Sequence, residues 1–333
     1  MTGPDGTGAP ASPGTTSVRI RALAAARQDA ALDLVCERQV HASRTDFAWL
    51  FTSPHLYDGL VALEAVDPDG RMLGVGFTAH PRYAPPGRAF LRITVARAQE
   101  RRGVGRALRA ELLDRLPPGT TDLVGGVFDD DPRSLAVARH WGFEEVEHAI
   151  ESVLGLTDLS QPEPPPGVTL HEVPDLVVDD PEAVERMLLA SQTNPEAEQG
   201  WVFDLAKLRA LVAEGETPVG VLARVDGVPV AITFGGVEAG TLSIAYSGVD
   251  PAFRGRGLMA LVKARAHLVA RGVGARSSRA SNAEHNEGIR EVNRRLGYVV
   301  RSGVHRLART VDAAAAPAPT PSVPPVPSVP PAP

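Results

Sequence analysis

The sequence predicts a mixed α/β protein made of two copies of one domain. Each half contains a valine that ends an apolar run, a glycine eight positions later, and a Gly-aromatic pair 39 or 40 positions beyond that glycine. The landmarks are Val95, Gly103 and Gly142-Phe143 in the first half, and Val249, Gly257 and Gly297-Tyr298 in the second. Two landmarks at matching separations are hard to obtain by chance, so they indicate an internal duplication.

Secondary-structure patterns follow the same order in both copies. In the second copy, Asp226-Gly227 between two apolar runs is typical of a two-residue hairpin turn. The predicted elements of this copy are strands at 219–225, 228–237 and 242–249, a helix from Leu258, a strand at 275–280 and a short helix closed by Gly297. Those of the first copy are strands at 59–66, 71–79, 89–95 and 122–128, a helix over 104–116 and a helix over 131–141.

Proline-rich and glycine-rich stretches mark the limits of the two domains. Residues 1–16 and 312–333 are predicted to be disordered, because they hold no apolar pattern that could join a core. A docking role for the C-terminal prolines is the less favoured alternative. The run QPEPPPG at 161–167 belongs to a predicted linker at 158–167. The predicted domains are therefore 17–157 and 168–311.

Composition excludes several classes of function. The 333-residue chain has a formal net charge of −6 and 5% aromatic residues, which argues against nucleic-acid binding. Its single cysteine, Cys36, precludes an intrachain disulfide, and its nine histidines show no metal-ligand spacing, so no metal is expected. No segment has the pattern of a signal peptide or a transmembrane helix, which predicts a cytoplasmic protein with no membrane partner.

The segment RGRGLM at 254–259 lies between a predicted strand and a predicted helix, where it can bind an anion. Glycine permits a tight turn and exposes successive backbone N–H groups. A helix N-terminus adds partial positive charge, and Arg254 and Arg256 add guanidinium groups that suit phosphate. A dinucleotide-binding interpretation fits poorly, because this turn follows an antiparallel hairpin. The pattern favours a pyrophosphate-binding loop.

This loop resembles the coenzyme A pyrophosphate loop of the GNAT superfamily of acyl-CoA N-acyltransferases, whose pattern is Arg/Gln-x-x-Gly-x-Gly/Ala. Arg254 and Gly257 match that pattern, and Met259 departs from it at the final small position. The run SNAEHNEGIREVNRRLGY at 281–298 is similar to the Asn-rich segment of actinobacterial tandem acyltransferases, a group that includes mycothiol synthase. The resemblance covers roughly 18–311 and implies two tandem GNAT-type domains.

The resemblance implies direct transfer of an acyl group, acetyl by default, from acetyl-CoA to the amine of a small molecule or peptide. Coenzyme A would lie beside strand 242–249, and a backbone N–H near Gly248 or Val249 would polarise the thioester carbonyl. The cofactor-binding residues that it assigns are Gly248, Val249, Arg254, Gly255, Arg256, Gly257, Leu258, Met259 and Asn286.

The sequence departs from the family at the position of its tyrosine acid. Four residues before the Gly-aromatic landmark, the second copy has Asn293 and the first has Ala138. Asn293 could hydrogen-bond the coenzyme A sulfur but cannot deliver a proton. A water or Tyr246 would supply it, although Tyr246 could equally be an aromatic residue packed under the substrate pocket.

The first copy departs further, because it has Glu100 in place of Arg254 and Asp131 in place of Asn286. The carboxylate of Glu100 would repel a diphosphate unless Arg101 and Arg102 outweigh it, and Asp131 places another anion near the path of the pantetheine arm. We therefore expect a degenerate first domain that shapes the acceptor pocket and a catalytic second domain. The alternative is a non-catalytic module that binds acyl-CoA or a metabolite. A duplicated chain satisfies internally the pairing that single-domain relatives make by dimerising, so we expect a monomer.

Overall fold

The computed structural model describes residues 18–311, except 40–46, 48–49, 52–55, 83, 174, 194–203, 207 and 209–216. The two ends that the sequence predicts to be disordered lie outside the described residues. The linker at 158–167 is described and connects the last strand of the first copy to the first strand of the second.

The strands, numbered in chain order, are β1 (Arg19–Ala22), β2 (Tyr57–Val66), β3 (Met72–Pro81), β4 (Arg88–Val95), β5 (Asp122–Phe128), β6 (Glu144–Gly155), β7 (Val168–Glu172), β8 (Thr217–Val225), β9 (Val228–Glu238), β10 (Thr241–Val249), β11 (Ser277–Ala283) and β12 (Val299–Thr310). The described helices are α1 (Gln28–Arg38), α2 (Val104–Leu113), α3 (Pro132–His140), α4 (Leu176–Asp179), α5 (Pro181–Ser191), α6 (Leu258–Gly272) and α7 (Glu287–Arg295).

Within the described residues, all the strands join one mixed sheet in the order β1-β2-β3-β4-β5-β12-β6-β11-β10-β9-β8-β7. This order is unchanged when each strand is replaced by its counterpart in the other copy and the sequence of strands is reversed. The sheet therefore has the internal two-fold relation that a duplication allows, and the expected mixed α/β class is confirmed.

The last strands of the two copies are exchanged. β12 pairs antiparallel with β5 of the first copy, from Val304 opposite Phe128 to Thr310 opposite Asp122. β6 in turn pairs antiparallel with β11 of the second copy. The two exchanged strands also pair with each other at the centre of the sheet. Each copy therefore contributes the strand that completes the other, and the linear boundary at 158–167 does not divide the sheet between them.

Helices pack against both faces of the sheet. Successive residues of a strand point to opposite faces, so alternate residues contact different helices. In the second copy, Val219, Val221 and Ala223 pack with α6, whereas Leu222 packs with α5. In the first copy, α1 packs on Val75 and Phe77. α2 lies so close to the other face that a Cβ added to Gly76 would be 2.6 Å from Leu112 Cδ1.

Most predicted elements are confirmed, and the predicted strand at 275–280 is displaced. It begins at Ser277 because Gly274 adopts φ +95° and the Ala275 amide donates to Ala270 O, which ends α6. It continues to Ala283 because those residues pair with β6, a strand of the other copy. The prediction lacked β6 and β12 altogether.

Because the last strands of the two copies are exchanged, we expect that neither half of the chain folds alone as a monomer. A fragment of residues 158–333 lacks β6, so β11 and β12 would expose unpaired backbone edges. We expect this fragment to dimerise by pairing β12 of each copy with β11 of the other, or to aggregate. Light scattering on the fragment, with and without co-expressed residues 1–157, checks this. A stable monomer with the circular dichroism of a folded domain would contradict it.

Candidate active site

The two glycine loops have the same backbone conformation. Each begins with a turn of 3-10 helix after the end of a strand. An extended residue follows, which is Glu100 (φ −59°, ψ 150°) in the first copy and Arg254 (φ −63°, ψ 159°) in the second. Each ends with a left-handed glycine before the helix, Gly103 at φ 84° or Gly257 at φ 75°. The duplication therefore extends to individual dihedral angles, and the loops differ in their side chains.

Both loops present a helix N-terminus that no side chain caps. The first N–H groups of a helix have no partner within the helix, and together with its dipole they favour an anion. A Cβ added at Gly255 or Gly257 would meet nothing within 4 Å, so the space beside the second loop is open. The backbone of the loop can bind a phosphate group there.

Side chains give the two loops different charge, because the first has Glu100 beside the exposed Arg101 and Arg102 and the second has no acidic residue. In the second copy Arg254 and Arg256 are exposed, with Arg254 Nη2 donating to Thr193 Oγ1 at 2.6 Å and Arg256 lying 4.9 Å over the ring of Phe253. Their guanidinium groups leave the loop basic. The interpretation of the second loop as the better pyrophosphate site stays a prediction.

In the first copy, an arginine from α1 occupies the corresponding region. Arg38 Nη2 lies 2.9 Å from Glu100 Oε1 and 3.5 Å from Asp131 Oδ2, so it bridges the two acidic positions. Arg133 lies 3.9 Å from the other oxygen of Glu100. The carboxylates are thus neutralised from within the protein, by a residue that is not part of the loop.

Both copies also contain a pair of parallel strands that diverge. The β10–β11 ladder ends at Ser243 and Arg279, and the β4–β5 ladder ends at Phe90 and Val124. A cavity of about 1420 Å³ opens between β4, β5, α2 and α3, lined in part by Trp141. A V-shaped gap at this place can hold an extended ligand against the exposed backbone edge of the central strand.

The strand beside the second gap carries an irregularity. Its register with β9 shifts between Ile244 and Tyr246, so Ala245 is an extra residue in the ladder. The corresponding ladder of β4 with β3 is regular from Phe90 to Val95. Bulges of this kind re-aim the backbone and are common next to active sites.

Tyr246 points away from the second gap toward α5. It is 7% exposed, packs with Val184 and Met187, and its hydroxyl lies 2.7 Å from Ser191 Oγ. Burial raises the pKa of Tyr246, partly offset by the Ser191 hydrogen bond and Arg254. Gly248 faces the same helix, because an added Cβ would be 2.2 Å from Ser191 Oγ. The packing interpretation thus has direct contacts, whereas a proton-transfer role stays a prediction.

Asn293 belongs to a buried polar network that sequence reasoning missed. It is 4% exposed, its Oδ1 accepts from Lys263 Nζ at 2.6 Å, and its Nδ2 donates to Asn282 Oδ1 at 2.8 Å. Lys263 is 1% exposed, and burial lowers its pKa to about 7. The one signal in the sequence was a lysine among the apolar residues of α6.

A second hydrogen-bond chain lies beside this lysine. His267 Nε2 lies 2.8 Å from the Tyr298 hydroxyl, which lies 2.7 Å from Ser278 Oγ. Burial, reinforced by the charge of Lys263, lowers the pKa of His267 to about 3. Lys263 Nζ also lies 5.1 Å over the ring of Tyr298. The contact between α6 and α7 is therefore polar, and its buried side chains hydrogen-bond to one another.

The side chains of the remaining predicted residues have structural contacts, and their roles at the site stay predictions. Asn286 is the N-cap of α7, with Oδ1 accepting from the Ile289 amide at 3.5 Å. Leu258 is buried in the core and Met259 packs against that core. Val249 ends β10. Glu238, a carboxylate at the end of β9, is exposed.

The fold and the paired loops define a class: the chain has the fold of a tandem GCN5-related N-acetyltransferase (GNAT) protein. It is similar to a tandem GNAT protein from the clavulanic acid biosynthesis pathway, with TM-score 0.68, 20% identity, and coverage of 91% of this chain and 100% of that chain. A GCN5-related N-acetyltransferase from Sphaerobacter thermophilus gives TM-score 0.65 at 20% identity, covering 88% and 95%.

A third similar structure is a GCN5-related glucosamine N-acetyltransferase region of a fungal multi-domain β-N-acetylglucosaminidase, with TM-score 0.67 and 14% identity over 90% of this chain and 38% of that chain. No protein-family model and no curated protein sequence matches the chain. Similarity at these identities establishes the tandem fold, which confirms the predicted fold class. The narrower resemblance to mycothiol synthase stays a prediction.

None of the helices in the described part of the chain is long and apolar enough to cross a membrane. The expectation of a cytoplasmic location stays a prediction.

The buried lysine gives a pH-dependent prediction. Its folded pKa of about 7 lies below the value of 10.5 expected in the unfolded chain, so unfolding takes up a proton between these values. The free energy of unfolding should therefore rise with pH from about 7 to about 10, by up to about 1.4 kcal/mol per pH unit from this group. Urea unfolding of the wild type and of Lys263→Met checks this, because the variant should lose that slope.

The sequence contains two lysines, Lys207 and Lys263, so direct titration is feasible. In protein labelled with ¹³C at lysine Cε, we expect one resonance to titrate near pH 7 and to disappear in Lys263→Met. Lys207→Arg identifies the other resonance. Two resonances that both titrate near pH 10 would contradict the buried position of Lys263.

Proposed function

We propose that the protein is an acyl-CoA-dependent N-acyltransferase that moves an acetyl group from acetyl-CoA to the amine of a small molecule or peptide, with the transfer in the second copy. The observation that carries this is the loop at 254–257, where an uncapped helix N-terminus and two exposed arginines meet beside a diverging, bulged strand. The similar solved structures include GNAT N-acetyltransferases, which supports acyl transfer as the chemistry.

Coenzyme A binds in this proposal with its pyrophosphate on the loop from Arg254 to Met259. The backbone N–H groups of Leu258 and Met259 and the guanidinium groups of Arg254 and Arg256 neutralise the diphosphate. The pantetheine arm extends along β10 into the gap beyond Ser243. Asn286 uses its oxygen to cap α7, so its amide nitrogen is the group left to bind the arm.

The oxyanion donor follows from the alternation of β10. The Asp250 amide donates to Val230 O on β9, so the amide of Gly248, two residues earlier, points to β9 as well. The Val249 amide then points to the opposite side, toward the gap. Of the two donors expected from the sequence, we therefore assign the thioester carbonyl to Val249.

Proton transfer to the leaving thiolate needs an acid, and Asn293 is not one. Tyr246 is a weak acid in this environment, because burial raises its pKa. Lys263 donates to Asn293 Oδ1 and is 1% exposed, so we assign to it the positioning of Asn293. We assign to Asn293 the positioning of the sulfur, and to water the proton that the thiolate takes up. The attacking amine gives one proton to water as the thiolate gains one from water, so the transfer balances.

The first copy supports a second candidate function, binding without turnover. Its cavity of about 1420 Å³ can hold a ligand of drug-like size or larger. Arg38, however, already pairs with Glu100, which corresponds to the pyrophosphate contact Arg254, and with Asp131, which corresponds to Asn286. We propose that this cavity shapes the acceptor side or holds a metabolite, and that it does not bind a diphosphate at its loop.

Matched glycine substitutions distinguish the two loops. Gly103 and Gly257 have nearly the same positive φ and equally open surroundings, so Gly103→Glu and Gly257→Glu impose the same backbone strain. We expect Gly257→Glu to abolish acetyl-CoA binding in calorimetry, because it puts a carboxylate at the pyrophosphate. Gly103→Glu should leave binding largely intact. Arg254→Ala, which keeps the turn, should weaken binding by about 1–3 kcal/mol.

Circular dichroism must first show that each variant is folded. If Gly103→Glu abolishes binding and Gly257→Glu does not, the assignment of the active copy is wrong. If neither changes binding, coenzyme A does not use these loops. Thiol release from acetyl-CoA with a panel of amines then separates transfer from binding alone, since binding without release favours the second candidate function.

A further inference from the structure

A cluster of histidines and carboxylates lies where the two copies exchange strands. Asp129 follows β5, His148 lies on β6, His305 lies on β12 and Glu284 follows β11. Each of the four central strands thus contributes or adjoins one member. The cluster lies outside the loops and gaps assigned to coenzyme A.

The Nε2 atoms of His148 and His305 both face the carboxylate of Asp129. His148 Nε2 lies 2.8 Å and His305 Nε2 lies 3.4 Å from Asp129 Oδ1. One ligand atom from each of these three residues lies within 4.8 Å of the others. The rings are stacked with centroids 4.7 Å apart. Two imidazoles and a carboxylate are ligands that suit zinc and related divalent transition metals.

A further carboxylate lies beside the Nδ1 atom of each imidazole. His148 Nδ1 lies 2.9 Å from Glu284 Oε2, and His305 Nδ1 lies 3.1 Å from Glu145 Oε1. A carboxylate at Nδ1 favours the tautomer with its proton there, which leaves the Nε2 lone pair for a metal. The His148 contact has hydrogen-bond geometry, whereas Glu145 lies beside His305 Nδ1 at ion-pair distance without that geometry. Carboxylates therefore lie on both sides of the cluster.

Gly303 leaves the backbone beside the cluster without a side chain. A Cβ there would lie 2.3 Å from Asp129 Oδ2 and 2.4 Å from His148 Nε2. The side chains of His148 and His305 are 19% and 22% exposed, so water can complete a coordination shell. Small movements of the rings bring the three ligands to metal-bonding distances of about 2.0–2.2 Å.

We propose that Asp129, His148 and His305 bind one divalent transition-metal ion of the zinc class, with Glu284 and Glu145 orienting the two imidazoles and water completing the shell. The ion joins strands of both copies and so stabilises the exchanged sheet. The sequence predicted no metal, because His305 belongs to the second copy and only the pairing of β12 with β5 and β6 brings it to Asp129 and His148.

Titration of the chelator-treated full chain with Zn²⁺ tests the proposal. Calorimetry should show one saturable site per chain, the melting temperature should rise on binding, and Co²⁺ should give the visible absorption bands of a tetrahedral site. His148→Gln and His305→Gln should each lower the affinity at least about 100-fold. Glu284→Gln and Glu145→Gln should lower it about 10–100-fold.

His171→Gln is the matched control, because His171 is an exposed histidine on β7 at the far edge of the sheet. It should bind Zn²⁺ as the wild type does. Gly303→Ala provides a second variant, which should weaken binding while it keeps both imidazoles. The proposal is overturned if the wild type shows no saturable uptake of Zn²⁺ or Co²⁺. It is also overturned if His171→Gln weakens binding as much as His148→Gln does.

Discussion

The backbone hydrogen bonds of β6 and β12 hold the structure together at its centre. β12 lies between β5 and β6, and β6 lies between β12 and β11, so each copy is completed by a strand of the other. The edges of both V-shaped gaps depend on this arrangement, because β5 and β11 form one wall of each gap. A change that loosens the exchange would therefore alter both gaps together.

On largely equivalent backbones, the side chains give the two copies different charges. Glu100 and Arg254 stand at equivalent positions with nearly equal dihedral angles, yet one is paired with Arg38 and the other is exposed beside an open helix N-terminus. A similar substitution lies between the helices. Arg109 and Lys263 are each six residues after the left-handed glycine of their loop. Arg109 lies over the ring of Trp141, and Lys263 lies over the ring of Tyr298. The two copies therefore share most of their backbone and differ in charge at equivalent positions.

Local signals predicted the elements, whereas long-range contacts decided the rest. The Asp226-Gly227 hairpin, the helix cap at Asp131 and the left-handed Gly297 were predictable because turn and cap chemistry acts within a few residues. Strand exchange was not predictable from the sequence, because β6 would satisfy its backbone hydrogen bonds equally well beside β5. The pairing of Lys263 with Asn293 and the cluster around Asp129 also escaped, since both join residues far apart in sequence. The loop positions at Arg254 and Gly257 were found because one short motif contains them.

A cysteine cross-link tests the strand exchange most directly. In a Cys36→Ser background, Val124→Cys and Ala308→Cys lie directly opposite in the observed β5–β12 ladder, at a separation that a disulfide spans. Val153 is the residue of β6 that corresponds to Ala308 in the repeat, and it would lie opposite Val124 if the strands were not exchanged. Mass spectrometry of the oxidised protein should find the Val124–Ala308 link and no link in the Val124→Cys, Val153→Cys variant. The reverse result would contradict the exchanged sheet.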